Sequence, residues 1–248
     1  MRASVQIGPS PRRAAPASNS LAEAVYERIK SDLFEFRLLP GDLFSEADIS
    51  ARLGVSRTPV RLGLVRLQRE GFLIPRQRAG WQVRPFEFER FEDLYDVRVV
   101  LELAAVEALC QRESIDPSGI LGALHEAWLV APEQRIRDWR LVGLLDEAFH
   151  EALVAAAGNE EMTQIHHDVT EKIRLVRRLD FTRDFRVDAT YDEHAALLRA
   201  IFARDTAGAR ALLKAHIEAS KAEVRKITLH MLHQARADAG PGIHSSKP

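Results

Sequence analysis

Cysteine is almost missing from this chain: its 248 residues include one, Cys110. A single thiol excludes an internal disulfide and any zinc finger built on paired cysteines. Aromatic residues are sparse at 7%. No apolar run approaches the ~18 residues of a membrane span. The opening MRASVQIGPSPRRAAPASNS has no acidic residue and no apolar stretch of the kind a secretory signal needs. Its Arg- and Ser-rich composition is shared by organelle transit peptides; we read it as a disordered arm. The rest has ordinary globular composition, 46% hydrophobic and 29% charged, enough for a sizeable core. The length suits one large domain or two small ones.

Net charge is also nearly absent, formally -1, but it is unevenly spread: residues 1–85 hold 14 Lys and Arg against 8 Asp and Glu, while residues 86–248 hold 21 against 28. A basic first part joined to an acidic second part implies two domains and a polyanionic partner for the first. Four segments follow from the composition and periodicity: an arm over 1–18, a first domain over 19–85, a helical domain over 86–234, and a flexible Gly-, Pro- and Ser-containing tail over 235–248.

Within the first domain, Leu21, Val25, Ile29 and Leu33 recur at helical spacing, after Asn19 or Ser20 as a cap. Leu39-Pro40-Gly41 marks a turn. Ser45 then caps a short helix with Ile49 and Leu53 on one face, and Gly54 ends it. Ser56 caps a second helix. Pro59 sits in its first turn, where a missing N–H costs little, and Val60, Leu64 and Leu67 form its buried stripe, with Gly71 closing it. Two helices joined by a short Gly-containing turn make a helix-turn-helix. Phe72–Ile74 and Trp81–Val83, separated by the basic PRQRAG, read as a β-hairpin wing.

In such a motif the first turn of the second helix faces base edges in the major groove. Ser56, Arg57, Thr58 and Arg61 occupy that region, with Arg57 and Arg61 on one face at i, i+4. Arginine bonds guanine in a bidentate pair. Arg78 and Gly80 on the hairpin are placed to approach the minor groove or the backbone. An isolated arginine pair is equally a solvated basic face; here cap, turn, wing and charge sign coincide, so the first domain is read as binding double-stranded DNA.

From Phe86 onward no segment reads as a strand. About six helices are expected, near 89–112, 117–130, 133–156, 159–179, 185–203 and 206–234. The fold class is therefore mainly α: an N-terminal winged helix-turn-helix with a small β-hairpin wing, and a C-terminal all-helical bundle.

The helical part carries a second constellation. Asp146 and His150 stand at i, i+4, so both can reach one ion. His194 and His216 fall on the last two helices, separated by the length of a helix, a turn and a return. One carboxylate and three imidazoles suit zinc, nickel, manganese or iron. On spacing alone, packed or surface histidines are the more common reading of such positions. Arg98 and Glu102 stand one turn apart, a spacing that suits an ion pair between them. A metal so held can activate water, but no further carboxylate or histidine is placed as a general base, so an enzyme is not expected. A metal-free ligand sensor is the other alternative.

The stretch SEADISARLGVSRTPVR followed by RLQREGFL, within residues 19–85, resembles the GntR family of bacterial winged-helix regulators. By that resemblance Arg57, Thr58 and Arg61 match operator-contacting positions, and Gly80 matches the wing-tip glycine. Two departures stand out. Leu62 replaces an acid, and Gly63 in mid-helix costs ~1 kcal/mol against Ala, which implies a softer helix. Ala47 takes a position where one branch of the family has a DNA-contacting arginine. Residues 86–234 are similar to the FCD effector domain of the FadR-type branch, through Leu94-Tyr95-Asp96-Val97-Arg98, Asp146 with Phe149-His150, Gly158-Asn159, Glu193-His194 and His216. The resemblance implies a divalent metal on Asp146, His150, His194 and His216, a small organic acid effector near it with Arg98 as a contact, and a repressor; two operator half-sites call for a homodimer, and the lone cysteine, the missing signal and the DNA partner fit a cytoplasmic location.

Overall fold

In the computed structural model the described residues are 18–77, 79–114, 116, 119–180 and 185–240. Two hydrophobic cores organise them, one in each of two helical bodies. None of the described helices is long and apolar enough to cross a membrane.

The first body begins with α1 (Ser18–Phe34), which starts three residues before the Leu21 expected to open its apolar stripe. Next come β1 (Leu43–Phe44), α2 (Glu46–Leu53) and α3 (Arg57–Arg69), then β2 (Leu73–Arg76) and β3 (Gly80–Val83). Ser45 caps α2 through a capping box: its hydroxyl accepts from the Asp48 N–H, and the Asp48 carboxylate accepts from the Ser45 N–H. Gly54 takes the left-handed conformation, φ 65°, that ends α2 and turns the chain into α3. Ser56 stands at the N-cap of α3 but makes no side-chain capping bond, which corrects its expected cap role. Ile49, Val60, Leu64 and Leu67 are fully buried against Val25, Ile29 and Leu33 of α1 and Trp81 and Val83 of β3. Burying side chains of this size contributes ~1.5–3 kcal/mol each.

Gly63 has a specific structural reason. A Cβ there would lie 3.1 Å from the Tyr26 nitrogen and 3.2 Å from the Ala22 carbonyl oxygen. The glycine lets α3 cross α1 at close range, a packing role that helix propensity alone does not reveal.

The sheet has three strands in the order β1-β3-β2, all antiparallel. The hairpin was legible, but β1 was not, because two residues are too few to show alternation. Leu43 pairs with Gln82 and Phe44 with Trp81. Gly80 has φ 81°, and a Cβ on it would come 2.6 Å from the Phe44 carbonyl oxygen. The wing-tip glycine is thus required by the pairing of β1 with β3. Arg78 lies outside the described residues.

The second body contains α4 (Phe88–Cys110), α5 (Ile120–Trp128), α6 (Trp139–Ala156), α7 (Glu160–Asp180), α8 (Phe185–Phe202), α9 (Thr206–Val224) and α10 (Leu229–Ala239). Two expected spans change. The helix read over 133–156 is a single 3-10 turn, Pro132–Gln134, followed by α6, whose cap Asp138 accepts from the Arg140 N–H. The helix read over 206–234 ends at Val224. Thr228 then caps α10, which runs into the segment read as tail; residues 241–248 lie outside the described residues.

Candidate nucleic-acid interface and metal centre

The turn at Gly54 leaves Ser56, Arg57, Thr58 and Arg61 exposed at the start of α3. Arg57 and Arg61 share an open groove with Ser45, Glu46, Ala47, Gly80 and Trp81, so the start of α3 and the wing glycine face the same space. Arg61 is engaged within the molecule: its Nε donates to Glu46 Oε1 at 3.0 Å and a terminal nitrogen donates to Oε2 at 2.9 Å. The Arg61 hydrogen bonds hold Glu46 below the usual carboxylate range. Sequence reading missed Glu46; because it is fifteen residues before Arg61, no local spacing rule couples the pair.

The second constellation forms inside the helical body. On α6, Val142, Asp146, Phe149, His150 and Leu153 are all buried. They follow helical spacing, so Asp146 and His150 stand in the inward apolar stripe itself. On α9, His216 takes the same kind of place beside Leu213 and Ile217. On α8, His194 is buried next to Ala195, with its ring stacked on Phe149 at 3.8 Å between centroids. Trp128 of α5 meets the same ring edge-on at 4.2 Å.

One atom from each of Asp146, His150, His194 and His216 lies within 4.8 Å of the other three. His150 Nε2 is 3.1 Å from His216 Nε2. Asp146 Oδ1 is 3.2 Å from His194 Nε2, 3.6 Å from His150 Nε2 and 3.9 Å from His216 Nε2. Donors sharing a first-row ion with bonds of about 2.1 Å stand roughly 3.0–3.4 Å apart.

The back of the cluster fixes which nitrogen carries a proton. His150 Nδ1 is 2.6 Å from Glu102 Oε2, and His216 Nδ1 is 2.6 Å from Glu193 Oε2. A carboxylate accepts, so each Nδ1–H donates and each Nε2 is left as a lone pair aimed at the cluster centre. Burial tends to raise the Glu102 carboxyl, but Arg98 and His150 outweigh it and hold it well below the usual carboxylate range. Burial acts on Asp146 in the same way and is outweighed by Arg177, His150 and His194. His150 is lowered by burial and by Arg98; His194 is held well below the ordinary imidazole value, mainly by burial. Ionised carboxylate and neutral imidazole are the metal-binding forms.

Two of the converging atoms, Asp146 Oδ1 and His194 Nε2, are buried and face each other at 3.2 Å, but neither makes an aligned hydrogen bond to any group. Buried polar atoms without a partner are uncommon and costly. A divalent ion among the four ligand atoms would satisfy both, and the donor set fits one.

Arg98, fully buried, donates from Nε to Glu102 Oε1 at 2.5 Å, so its intramolecular pairing is realised. One of its terminal nitrogens remains without a partner. Glu102 also faces His166 Nε2 at 2.9 Å, and Arg177 of α7 pairs with Asp146 Oδ2. Glu102 was legible as a partner of Arg98, one turn away. Its bond to His150 was not, nor was Arg177, since both depend on how separate helices pack.

Comparison with known proteins agrees with this architecture. Residues 21–83 match the model for bacterial regulatory proteins of the gntR family, and residues 93–219 match the FCD domain. The Nta operon transcriptional regulator of Aminobacter aminovorans is 31% identical over 75% of this chain and 84% of its own length. The HTH-type transcriptional repressor GlaR of Escherichia coli (strain K12) is 24% identical over 77% of this chain and 90% of its own. The crystal structure of a GntR regulator from Rhodococcus sp. RHA1 superposes with a TM-score of 0.68 at 26% identity, over 84% of this chain and 99% of the other.

Proposed function

Because this chain belongs to the gntR family of bacterial regulatory proteins, as a DNA-binding transcriptional regulator with an FCD domain, we propose that it is a metal-dependent repressor controlled by a small organic acid. The reading places a divalent ion, zinc, nickel or manganese, on Asp146, His150, His194 and His216. The observation that carries it is the convergence of four buried ligand atoms, among which Asp146 Oδ1 and His194 Nε2 lie 3.2 Å apart yet make no aligned hydrogen bond.

Charge supports an anionic effector. A divalent ion with Arg98 and Arg177, set against Asp146, Glu102 and Glu193, leaves one positive charge in excess in a largely buried cluster. An uncompensated buried charge is costly, and a carboxylate would neutralise it. The partnerless nitrogen of Arg98 makes that residue the proposed contact for the acid. When bound, the ion would supply Lewis acidity toward an oxygen ligand; the chain's own residues would orient the acid and exclude water.

Ser56, Arg57, Thr58, Arg61, Arg78 and Gly80 are the proposed DNA-contacting set. Reading a two-fold operator needs two copies of the winged helix, so the working form is taken as a cytoplasmic homodimer. Val97 and Val100 leave an exposed apolar strip on α4 that suits a second copy.

The test has two stages. A duplex selected from random DNA should bind much more tightly than a scrambled duplex at physiological salt, and equal affinity would contradict sequence-specific reading. A panel of small mono- and dicarboxylates should then release that duplex from metal-loaded protein and leave it bound by chelated protein.

A further inference from the structure

We propose that a ladder of mostly buried ion pairs carries occupancy of the four-residue cluster to the DNA-reading helix α3. The proposal rests on the metal reading above and extends it to how the two bodies communicate.

The ladder starts where α6 presents Asp146 and Glu147 side by side. Arg177 of α7 pairs with Asp146, and Arg174, one turn earlier, donates from Nε to the two Glu147 oxygens at 3.0 and 2.9 Å. Arg174 also reaches Glu171 Oε1 at 2.5 Å. Glu171 pairs with Lys30 of α1, which crosses the chain from the helical body to the first body. Lys30 Nζ donates to the Tyr26 hydroxyl at 2.6 Å, and that hydroxyl donates to Glu70 at 2.8 Å. Glu70, the C-cap of α3, accepts from Arg66 Nε at 3.1 Å, and the Arg66 guanidinium lies 3.6 Å from the Tyr26 ring centre. Arg66 is on α3, five residues after Arg61.

Two features set this series apart from ordinary surface pairing. The Glu147, Arg174, Glu171 and Lys30 side chains are only 10–18% exposed, so salt screens them weakly, whereas exposed pairs contribute little. A second grip runs in parallel: the Arg174 guanidinium lies 4.7 Å from the Phe34 ring centre, and Arg178 Nη1 donates to the Phe34 carbonyl at 2.7 Å. Thus α7 holds the C-terminal end of α1 both by charge and through its backbone.

The physical logic is differential contact. A ligand shifts a conformational equilibrium only by interacting differently with its two states. Gathering four ligand atoms around an ion repositions α6 against α7. Asp146 and Glu147 are neighbours, so both arginine pairs feel that movement. The Lys30 ammonium must follow Glu171 or leave the buried Oε2 without its cation, since Arg174 holds only Oε1, and that loss is unfavourable.

Hydrogen exchange of the intact chain, with zinc alone as ligand, tests the ladder. In the wild type, zinc should slow exchange in α6, α8 and α9, and by about twofold or more in α1 and α3. In Lys30→Met and in Glu171→Gln the first response should persist and the second vanish. The conservative variant Lys30→Arg, which keeps the charge, should retain both responses. Zinc protection of α1 and α3 that survives in both Lys30→Met and Glu171→Gln would overturn the ladder, as would wild-type protection confined to the helical body. If zinc alters exchange nowhere, the metal reading itself fails and the ladder falls with it, a result readily told apart from the other two.

Discussion

His150 Nε2 faces His216 Nε2 at 3.1 Å, and both rings have their Nδ1 side committed to a carboxylate. Two lone pairs at that distance repel unless a proton or a cation lies between them. Burial disfavours the proton, lowering His150 below its ordinary value. That arrangement supports the proposed cation between the two rings, with Asp146 Oδ1 and His194 Nε2 as its other ligands.

The carboxylates behind the rings should matter nearly as much as the ligands. Glu193→Gln removes the charge that orients His216 while preserving its size. A partner of this kind typically accounts for about 10–100-fold in metal affinity. Competition with a chelator of known affinity should show a loss in that range, with the same number of ions bound at saturation. Unchanged affinity would detach Glu193 from the site.

Acid should destabilise the metal-free protein in two stages. His150 and His194 are lowered in the folded chain, whereas in the unfolded chain they take up protons near the ordinary imidazole value of about 6.5. The unfolded state then binds more protons, so stability is constant above neutrality and falls as pH drops below that value. Asp146 and Glu102 are lowered carboxylates. Their contribution is present above the ordinary carboxylate range of about 4 and disappears only at lower pH, as they become protonated in the folded chain. Thermal unfolding of the apo chain should show a level Tm from pH 8 to 7 and a drop of at least a few degrees by pH 5.5. A Tm that is flat to pH 5.5 would contradict the neutral, buried histidines.

The helix-turn-helix was legible because its signals are local. Ser45, Gly54 and the apolar stripe through Val60, Leu64 and Leu67 each act within a few residues. The four ligand positions were reachable only as a set of residue types, through spacing and family resemblance, since their convergence depends on how α6, α8 and α9 pack. Glu46 on Arg61 and Arg177 on Asp146 had no local signal. The break between α9 and α10 was hidden because apolar spacing continues through Ile227 and Leu232, and only the capping bond of Thr228 to the Met231 N–H reveals a new helix start.

Gly63→Ala should destabilise the protein even though alanine favours helix by ~1 kcal/mol. The new methyl would meet backbone atoms of α1 at 3.1 and 3.2 Å, and overpacking of this kind typically costs about 1–3 kcal/mol. Thermal unfolding should show a lower Tm. A higher Tm would mean that α1 gives way and that the crossing is loosely held.

Arg57→Ala and Arg61→Ala should each weaken binding to a selected duplex by about 1–3 kcal/mol and relax preference at one base pair of each half-site. In the proposed contact Arg61 exchanges its two bonds to Glu46 for bonds to a base, so Glu46→Gln should tighten binding to the selected duplex while keeping the preferred base. Repeating the selection with each variant checks this. A uniform loss across all sequences would assign the residue to phosphate contact instead.

The most direct test of the account is metal content per chain, measured by mass spectrometry on untagged protein purified without chelator. The account predicts one divalent ion per chain, lost in Asp146→Ala and His194→Ala while both variants remain folded. A wild-type chain that carries no ion, even after incubation with zinc, nickel or manganese, would contradict it.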